Sequence, residues 1–333
     1  MQNQNVSISP SQISNNPFVQ NFADAVRETG RIVVDADWNM KELRKCDVAI
    51  LHWPDYFFDD SKIALGRRRL LKLMLARRLF DTKFVWVVHN LKPHARTNPS
   101  KLERRFLREL DGVIHLSHEG KGKADGLYPE LADKTNIVTV HGNFLPNSEP
   151  FISTRPVSFE KIDVLTFGAI KPYKNLEAFI SALVDLGDPT VRGEIYGKAV
   201  DTKYVAELHR LVSNADVKID APSTSFSDRD MERRIDAADL IVLPYRDILN
   251  SGSAFLALSR YRPIVAPRLG ALPELQRAVG TEWVYLFDGE LDATTLADAV
   301  RWYRRREVWT KPDMSSYDWE RVSGDLDRLL QQI

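Results

Sequence analysis

Apolar runs alternate with amphipathic segments along nearly the whole chain. Residues 84–88 and 240–243 are uninterrupted apolar runs, which are typical of parallel strands covered on both faces. Other segments carry apolar residues every three or four positions, as Phe18, Phe22 and Val26 do, and this spacing predicts amphipathic helices. Strands that alternate with helices predict an α/β protein with parallel sheets.

Two series of these strand–helix units follow one another. The first predicts helices over 16–30, 39–45 and 62–80 and strands over 31–34, 47–52, 84–88, 112–116 and 136–140. The second predicts strands over 163–167, 191–196, 217–219, 239–243 and 283–287. It predicts helices over 176–186, 201–213, 274–279, 291–305 and 319–330, together with a helix that ends at 237 and a helix that begins at 251. Two consecutive series predict two doubly wound domains that face each other across a cleft.

The ends of the first series are less regular. Residues 1–16 are polar and rich in turn formers, so we expect them to be mostly irregular, with only a short strand at 6–8. The segment 143–160 contains three prolines and shows little periodicity. We therefore place the linker between the domains there, with the first domain over 1–150.

Length, charge and cysteine content narrow the class of protein. The 333 residues suffice for two α/β domains, and Lys plus Arg equal Asp plus Glu at 46 each, so the total charge does not indicate a nucleic-acid partner. The single cysteine, Cys46, excludes a disulfide framework and favours a reducing compartment. Neither a leader-like start nor a bilayer-length apolar stretch is present. We predict a soluble, cytoplasmic protein whose membrane contact would be peripheral.

Positive charge is concentrated between residues 62 and 110, where fourteen Lys and Arg residues face three acidic ones. The predicted helix 62–80 interleaves its cations with leucines. Such a helix ordinarily packs one face on a core and leaves the other in water, but the same composition suits a basic helix that lies on anionic lipid. Both interpretations stay open, and an anionic membrane surface is a candidate partner of residues 62–110.

Histidines follow predicted strands of the first domain, namely His52, His89 with Asn90 after it, His118 and His141. Ligands of open α/β sheets lie beyond the carboxyl ends of the strands, so these residues are candidates for a site, although a hydrogen bond to a loop would also explain each of them. No carboxylate or cysteine accompanies them at ligand spacing. We therefore predict no metal site.

Two loops of the second domain suit a diphosphate. One follows the strand 163–167 and carries Lys171 and Lys174, and the other opens a helix at Ser251-Gly252-Ser253, whose first-turn amides lack partners within the helix. The alternatives are solvated loop lysines and an ordinary serine N-cap. A GxGxxG motif after the first strand of either half and a Walker A motif are both missing, which disfavours a nicotinamide enzyme and a P-loop NTPase.

Segments of the second half resemble, in order, the donor domain of GT-B glycosyltransferases of the family-4-like group. They are residues 167–175, 238–245, 251–253 and 262–266. In the first half, residues 87–90 resemble the strand end where this family keeps a histidine near the transferred sugar. The resemblance covers nearly the whole chain. It implies an acceptor-binding domain over 1–150, a donor-binding domain over 151–316, and a final helix within 317–333 that crosses back to the first domain.

The resemblance also implies an activity and a set of site residues. The activity is metal-independent transfer of a hexosyl group, without a cofactor, from a nucleotide-sugar to a saccharide acceptor that is lipid-linked, as in the synthesis of bacterial exopolysaccharide. His89 becomes the catalytic candidate, and the acceptor-side candidates are His52, Asn90, His118 and His141. The donor-binding candidates are Gly168, Lys171, Lys174, Tyr245, Asn250, Ser251, Gly252 and Ser253.

Two departures from the family pattern leave other functions open. Ile248 and Leu256 occupy the places of the family's paired glutamates, with Asp247 beside the first, and the family's first strand and glycine-rich loop are expected to be shortened or absent. One alternative is a nucleotide-sugar isomerase or epimerase of the same fold, with His89 or His141 as acid and base. The other is a regulatory protein that binds a nucleotide-sugar but has lost catalysis.

Overall fold

The computed structural model describes residues 4–10, 16–34, 40–58, 62–91, 99–144, 161–212, 216–223, 227–305 and 311–333. The chain divides into two compact units. The first unit comprises residues 1–142 together with 317–333, and the second comprises residues 143–316. Some predicted features lie outside the described residues. They are most of the linker, the first residue (39) of the helix predicted over 39–45, the last residue (213) of the helix predicted over 201–213, and residues 92–98 of the basic region.

The first unit is built on a six-stranded sheet in which all neighbouring strands are parallel. Its strands are β1 (Asn5–Ser9), β2 (Ile32–Val34), β3 (Val48–Leu51), β4 (Lys83–Val88), β5 (Gly112–His115) and β6 (Thr135–Val138), and their order across the sheet is β2-β1-β3-β4-β5-β6. The chain order reverses between β1 and β3. Such a reversal opens a crevice at the carboxyl ends of these two strands, where ligands of open α/β sheets bind.

Helices cover this sheet. They are α1 (Pro17–Glu28), α2 (Met40–Leu43), α3 (Ile63–Phe80), α4 (Lys101–Arg108), α5 (His118–Leu127) and, from the end of the chain, α12 (Trp319–Leu330). Asn16 caps α1 by accepting a hydrogen bond from the amide of Phe18 at 3.0 Å, and Pro17 fills the first helical position, as the sequence predicts. The last helix packs on α1 and β6, so it belongs to the first unit.

The second unit has the same layered design. Its strands are β7 (Ile162–Phe167), β8 (Val191–Tyr196), β9 (Val217–Asp220), β10 (Leu240–Val242), β11 (Ile264–Pro267) and β12 (Val284–Phe287), in the all-parallel order β12-β11-β10-β7-β8-β9. Its helices are α6 (Leu176–Leu186), α7 (Thr202–Leu211), α8 (Asp228–Ala237), α9 (Gly252–Ser259), α10 (Leu272–Val279) and α11 (Ala293–Arg304). Here the order reverses between β7 and β10. The loops that follow these two strands therefore flank the ligand-binding crevice expected for this topology.

The α/β fold with two doubly wound sheets is confirmed, and most elements lie within two residues of their predicted bounds. No bounds were predicted for α4, α5 and β11. The amino terminus also differs. The sequence predicts a mostly irregular start with only a short strand at 6–8, and a family first strand that is shortened or absent. In the structure Asn5–Ser9 forms β1, which pairs with β2 on one side and β3 on the other. Val6 and Ile8 are buried on one face and Ser7 on the other. Both faces of the strand are buried, so the polar Ser7 gave no sign of burial in the sequence.

Candidate functional site

The donor-side loops of the second unit meet at Gly168. This glycine follows β7 directly and has a φ of +96°, a conformation that side chains other than glycine rarely adopt. A Cβ atom placed on Gly168 would lie 2.7 Å from the Nζ of Lys174 and 3.5 Å from the Oγ of Ser253. The loop after β7 and the start of α9 are therefore close neighbours, and glycine keeps the space between them free.

Lys174 and Lys171 play different structural parts. Lys174 is 5% exposed, and its Nζ donates a hydrogen bond to the carbonyl oxygen of Phe167 at 2.7 Å. Burial, with the positive charge of Lys171 as a second cause, lowers the pKa of Lys174 to about 7. Lys171 is exposed. The site thus holds one amine whose charge an arriving anion would stabilise, and one cation in contact with solvent.

Asn175 is a polar residue of this loop to which the sequence assigns no role. Its φ is +56°, a region where asparagine is common, and this alone would explain the residue type. Its side chain is nevertheless 1% exposed, and neither its amide nitrogen nor its amide oxygen has a hydrogen-bond partner within the described part of the chain. Buried amides are normally paired, so this one is available to a ligand or to water.

The start of α9 is fixed by hydrogen bonds around Ser251. The hydroxyl of Ser251 accepts a hydrogen bond from the amide of Ala254 at 3.2 Å, which makes Ser251 the N-cap, and it lies 3.0 Å from the hydroxyl of the buried Tyr245. The ring of Tyr245 stacks on that of Tyr173 from the other loop, at 6.2 Å between centroids. The next two residues, Gly252 and Ser253, are half-buried and contribute first-turn amides to the crevice side.

Arg246 makes a second link between the loop after β10 and the loop after β7. The amide of Arg246 donates to the carbonyl oxygen of Tyr173 at 3.0 Å, and the Arg246 guanidinium pairs with Glu177 at 2.8 Å. The loop after β10 is thereby attached to the start of α6. At the positions of the family's paired glutamates, Ile248 and Leu256 are half-buried, and Asp247 is exposed. The remaining donor candidate, Asn250, is half-buried directly before the N-cap.

In the first unit, two of the strand-end histidines form a buried pair. His52 follows β3 and His89 follows β4, and the Nδ1 of His52 lies 2.9 Å from the Nε2 of His89. His52 is fully buried and His89 is 8% exposed. The Nε2 of His52 has no hydrogen-bond partner within the described residues. One of these two nitrogens donates a hydrogen bond to the other, so the tautomer of each ring fixes that of the other.

Phe18, near the start of α1, connects His141 to this pair. The ring of Phe18 contacts those of His52, His89 and His141, with centroid distances of 5.7, 5.0 and 4.6 Å. Trp53 stacks on His89 at 4.4 Å between centroids. We call His52, His89 and His141 the histidine cluster. The sequence places these histidines at the carboxyl ends of neighbouring strands, but their contacts depend on the register of β3 and β4 and on the packing of α1, which the sequence does not show.

Burial governs the protonation of the histidine cluster. It lowers the pKa of His52 to about 3 and that of His141 to about 4. The pKa of His89 is also far below its ordinary value, because of burial first and then the charges that protonated His52 and His141 would place beside it. All three imidazoles are therefore neutral near pH 7, a form in which a ring nitrogen can accept a proton.

The other acceptor-side candidates are placed differently. His118 is the first residue of α5 and is exposed, while Asn90 is exposed just after His89. Within the described residues, no group of three His, Cys, Asp or Glu side chains is arranged to hold a metal ion. The same residues include no helix that is both long enough and apolar enough to cross a bilayer.

Comparison with known proteins finds chains that are similar in sequence and chains that are similar in structure. No family model matches the chain. The GDP-mannose:glycolipid 4-beta-D-mannosyltransferase of Xanthomonas campestris is 29% identical over 312 residues, which cover 92% of this chain and 85% of that protein.

Among solved structures, sucrose-phosphate synthase of Thermosynechococcus elongatus superposes with a TM-score of 0.67 at 14% identity, covering 99% of this chain and 98% of the other. Anabaena HepE in complex with UDP-glucose superposes with a TM-score of 0.68 at 14% identity, covering 99% of each chain. These likenesses confirm the predicted fold.

Proposed function

We propose that this chain, which is a glycosyltransferase of the GT-B fold, transfers a hexosyl group from a nucleotide-sugar to a lipid-linked saccharide during polysaccharide synthesis. The observation that carries the proposal is the convergence of Lys174, Gly168 and Ser253 where the sheet of the second unit reverses its strand order. A buried amine, a bare glycine and a helix N-terminus at that place suit a diphosphate.

In the proposed reaction the second unit stabilises the leaving group. As the bond from the sugar carbon C1 to the diphosphate oxygen breaks, the electron pair stays on the diphosphate. Lys174, Lys171 and the first-turn amides of α9 would then meet the developing negative charge with groups already in place, which lowers the barrier without reorganisation of solvent. We propose that these groups replace a metal ion, so that the transfer proceeds unchanged in EDTA.

The relative from Xanthomonas suggests both donor and acceptor. Its name specifies GDP-mannose as donor, a glycolipid as acceptor and a beta linkage in the product. We propose the same classes of donor and acceptor for this chain. Because the mannosyl group of GDP-mannose is alpha-linked to the diphosphate, a beta product requires inversion at C1, and a single displacement inverts. The acceptor hydroxyl then attacks C1 and must lose its proton to a base.

We assign the role of base to His89. Its imidazole is neutral near pH 7 and can take the proton of the acceptor hydroxyl, becoming an imidazolium as the new C1–O bond forms. His89→Ala should lower kcat by about 100-fold or more while donor affinity stays near normal. A kcat close to that of the unchanged protein would remove His89 from the mechanism.

The first experiment is a thermal-shift screen with GDP-, UDP-, ADP- and dTDP-sugars, followed by transfer of radiolabelled mannose to a lipid-linked oligosaccharide. A ligand at 100 times its Kd adds about 2.7 kcal/mol of stability, so a true donor is readily detected. A shift with GDP-mannose and label in the lipid fraction support the proposal. Turnover of donor without acceptor would indicate an isomerase, and binding without any turnover would indicate the regulatory alternative.

We further propose that the protein works at the inner face of the plasma membrane, held there by the basic region 62–110. Its helix α3 is exposed along much of its length and carries Arg67, Arg68 and Arg78 at the surface. Each such cation near an anionic lipid surface contributes about 1 kcal/mol to binding. An acceptor that is itself embedded in the membrane would make such attachment useful.

A further inference from the structure

Exposed apolar side chains are concentrated on α3. Among the described residues nine large apolar side chains are exposed, and five of them belong to this one helix: Ile63, Leu65, Leu71, Leu75 and Leu79. Leu71, Leu75 and Leu79 are spaced four residues apart and therefore lie along one face, with exposures from 39% to 63%. A contiguous apolar row of this kind marks a surface that is covered by something other than water.

A groove runs beside this row, between α3 and α4. It has a volume of about 440 Å³ and an apolar wall that includes Leu70, Leu71 and Met74. Three cations also line it, Arg67 from α3 with Lys101 and Arg105 from α4. Because Lys101 and Arg105 are four residues apart on one helix, they face the groove together.

Within the described residues these three cations lack acidic partners, unlike Arg77 and Arg104 nearby. Arg77 pairs with Asp111 at 2.9 Å and Arg104 pairs with Glu130 at 2.9 Å. Within the described residues no acidic side chain lines the groove or forms an ion pair with Arg67, Lys101 or Arg105. Three like charges around one groove repel each other, and an anion bound among them would remove that cost.

The groove is held in shape by its two helices. Gly66 lets α3 pack closely against Phe57 and α4. A Cβ at this position would collide with the carbonyl oxygen of Phe57 and lie 3.1 Å from a methyl group of Leu102 on α4. The start of α4 is fixed by reciprocal hydrogen bonds of 3.1 Å between Ser100 and Glu103. The positions of the cations on their helices are therefore set before any ligand arrives.

We propose that the groove between α3 and α4 binds the phosphate group of an anionic membrane lipid, while Leu71, Leu75 and Leu79 enter the adjoining hydrocarbon. Arginine and lysine together suit a phosphate, since guanidinium groups bind it in a bidentate manner and ammonium groups add charge. A soluble phosphate would use the cations and leave the leucines in water, whereas a bilayer surface uses both. The inference rests on the proposed attachment to a membrane and names the chemical group that is held.

The test is flotation of the full-length protein with vesicles, without nucleotide-sugar and at physiological salt. The vesicles contain phosphatidylcholine alone, phosphatidylcholine with phosphatidylglycerol, or phosphatidylcholine with a polyprenyl phosphate. The variant Arg67→Gln/Lys101→Gln/Arg105→Gln should bind both anionic vesicles roughly 100-fold more weakly, since each cation near an anionic surface contributes on the order of five-fold. The matched control Lys203→Gln/Arg229→Gln/Arg277→Gln removes three exposed cations of the second unit and should bind as the unchanged protein does.

Leu71→Ser/Leu75→Ser should also weaken binding to vesicles while leaving the protein folded. Equal loss in the control triple variant, or no loss in the groove variant, would overturn the proposal. So would tight binding of inorganic pyrophosphate that the groove variant abolishes without any binding to vesicles, because the ligand would then be a soluble phosphate. Self-association that disappears in the leucine variant, without vesicle binding, would make α3 an interface between copies of the chain.

The same variants separate this inference from the proposed transfer. The groove lies on the first unit, so the groove variant should keep the thermal shift produced by GDP-mannose. Vesicle binding without transfer would contradict only the proposed transfer. Transfer to a lipid-linked acceptor by a protein that binds no vesicle would contradict this inference and the proposed attachment to a membrane, and would leave the proposed transfer standing.

Discussion

Lys174 is the donor-site residue whose charge we expect to change on donor binding. Its pKa is near 7 because it is buried beside Lys171, and a bound diphosphate would raise it. Above pH 7 the donor must therefore bring a proton with it, and affinity should fall as pH rises. Isothermal titration with GDP-mannose in buffers of different ionisation enthalpy measures this uptake of up to one proton.

Removing the amine should abolish that dependence. Lys174→Met is expected to weaken donor binding by about 1.5–3 kcal/mol at pH 7, because a charge-assisted hydrogen bond is lost, and to leave affinity nearly flat above it. Lys171→Met is the matched control, since Lys171 is exposed and should contribute less. Proton uptake that persists in the Lys174 variant would place the titrating group elsewhere.

His52 is expected to act through His89 by fixing its tautomer and orientation. His52→Phe fills the same apolar space but removes the 2.9 Å contact, so kcat should fall on the order of ten- to a hundred-fold while the donor KM changes little. His52→Gln, which retains a polar group, should restore part of the rate and shift the pH profile of kcat. Equal rates and equal pH profiles in all three proteins would mean that His52 only fills space.

At the scale of single elements, α3 depends on Gly66. An alanine there would press its Cβ against the carbonyl oxygen of Phe57, so we expect Gly66→Ala to destabilise the protein by about 1–3 kcal/mol, although alanine favours helix. Gly122→Ala in α5 is the control, since its Cβ meets nothing within 4 Å; it should stabilise by about 0.5–1 kcal/mol. Urea denaturation compares the two, and equal effects would contradict the close packing of α3.

Sequence patterns predict the elements better than the contacts between them. The bounds of α6 and α12 coincide with those predicted, because periodic apolar residues mark whole helices. β1 was predicted only over 6–8, since polar Asn5 and Ser9 become part of the strand only through pairing with β2 and β3. The pattern also places Lys171 and Lys174 in one loop. It does not show that only Lys174 is buried, because burial depends on how the loop packs on the rest of the unit.

At the scale of the molecule, α12 completes the first unit. Its buried side chains include Trp319, Val322, Leu326 and Leu329, and at about 1.5–3 kcal/mol each their burial rivals the whole stability of a domain. Removal of residues 317–333 should therefore leave the first unit unfolded and the second folded. Hydrogen exchange by mass spectrometry checks this, and removal of 331–333 is the control. Protection of β1 to β6 in the longer truncation would contradict the prediction.

The histidine cluster should make the protein sensitive to mild acid. The folded state keeps His52, His89 and His141 neutral, whereas in the unfolded chain histidines titrate near pH 6.5. Their contribution to stability is thus complete above about pH 6.5. As pH falls below this value, the unfolded state binds up to three more protons, and the free energy of unfolding decreases by up to about 4 kcal/mol per pH unit.

Urea denaturation from pH 7.5 to 5.5 measures this slope. His141→Leu should reduce it by about a third, because one of the three titrating groups is gone. His118→Gln, at an exposed position outside the histidine cluster, is the control. A stability that does not change with pH over this interval would mean that the three rings are solvated in the folded protein.

The return of α12 to the first unit has a consequence for synthesis on the ribosome. The second unit is complete once residue 316 has left the exit tunnel, while the first still lacks its last helix, although its sheet was translated earlier. Domains ordinarily fold from the amino terminus as they emerge. In this chain the later unit can finish first, and the surface of the earlier unit that α12 covers stays exposed to solvent and to chaperones until residues 317–333 have emerged.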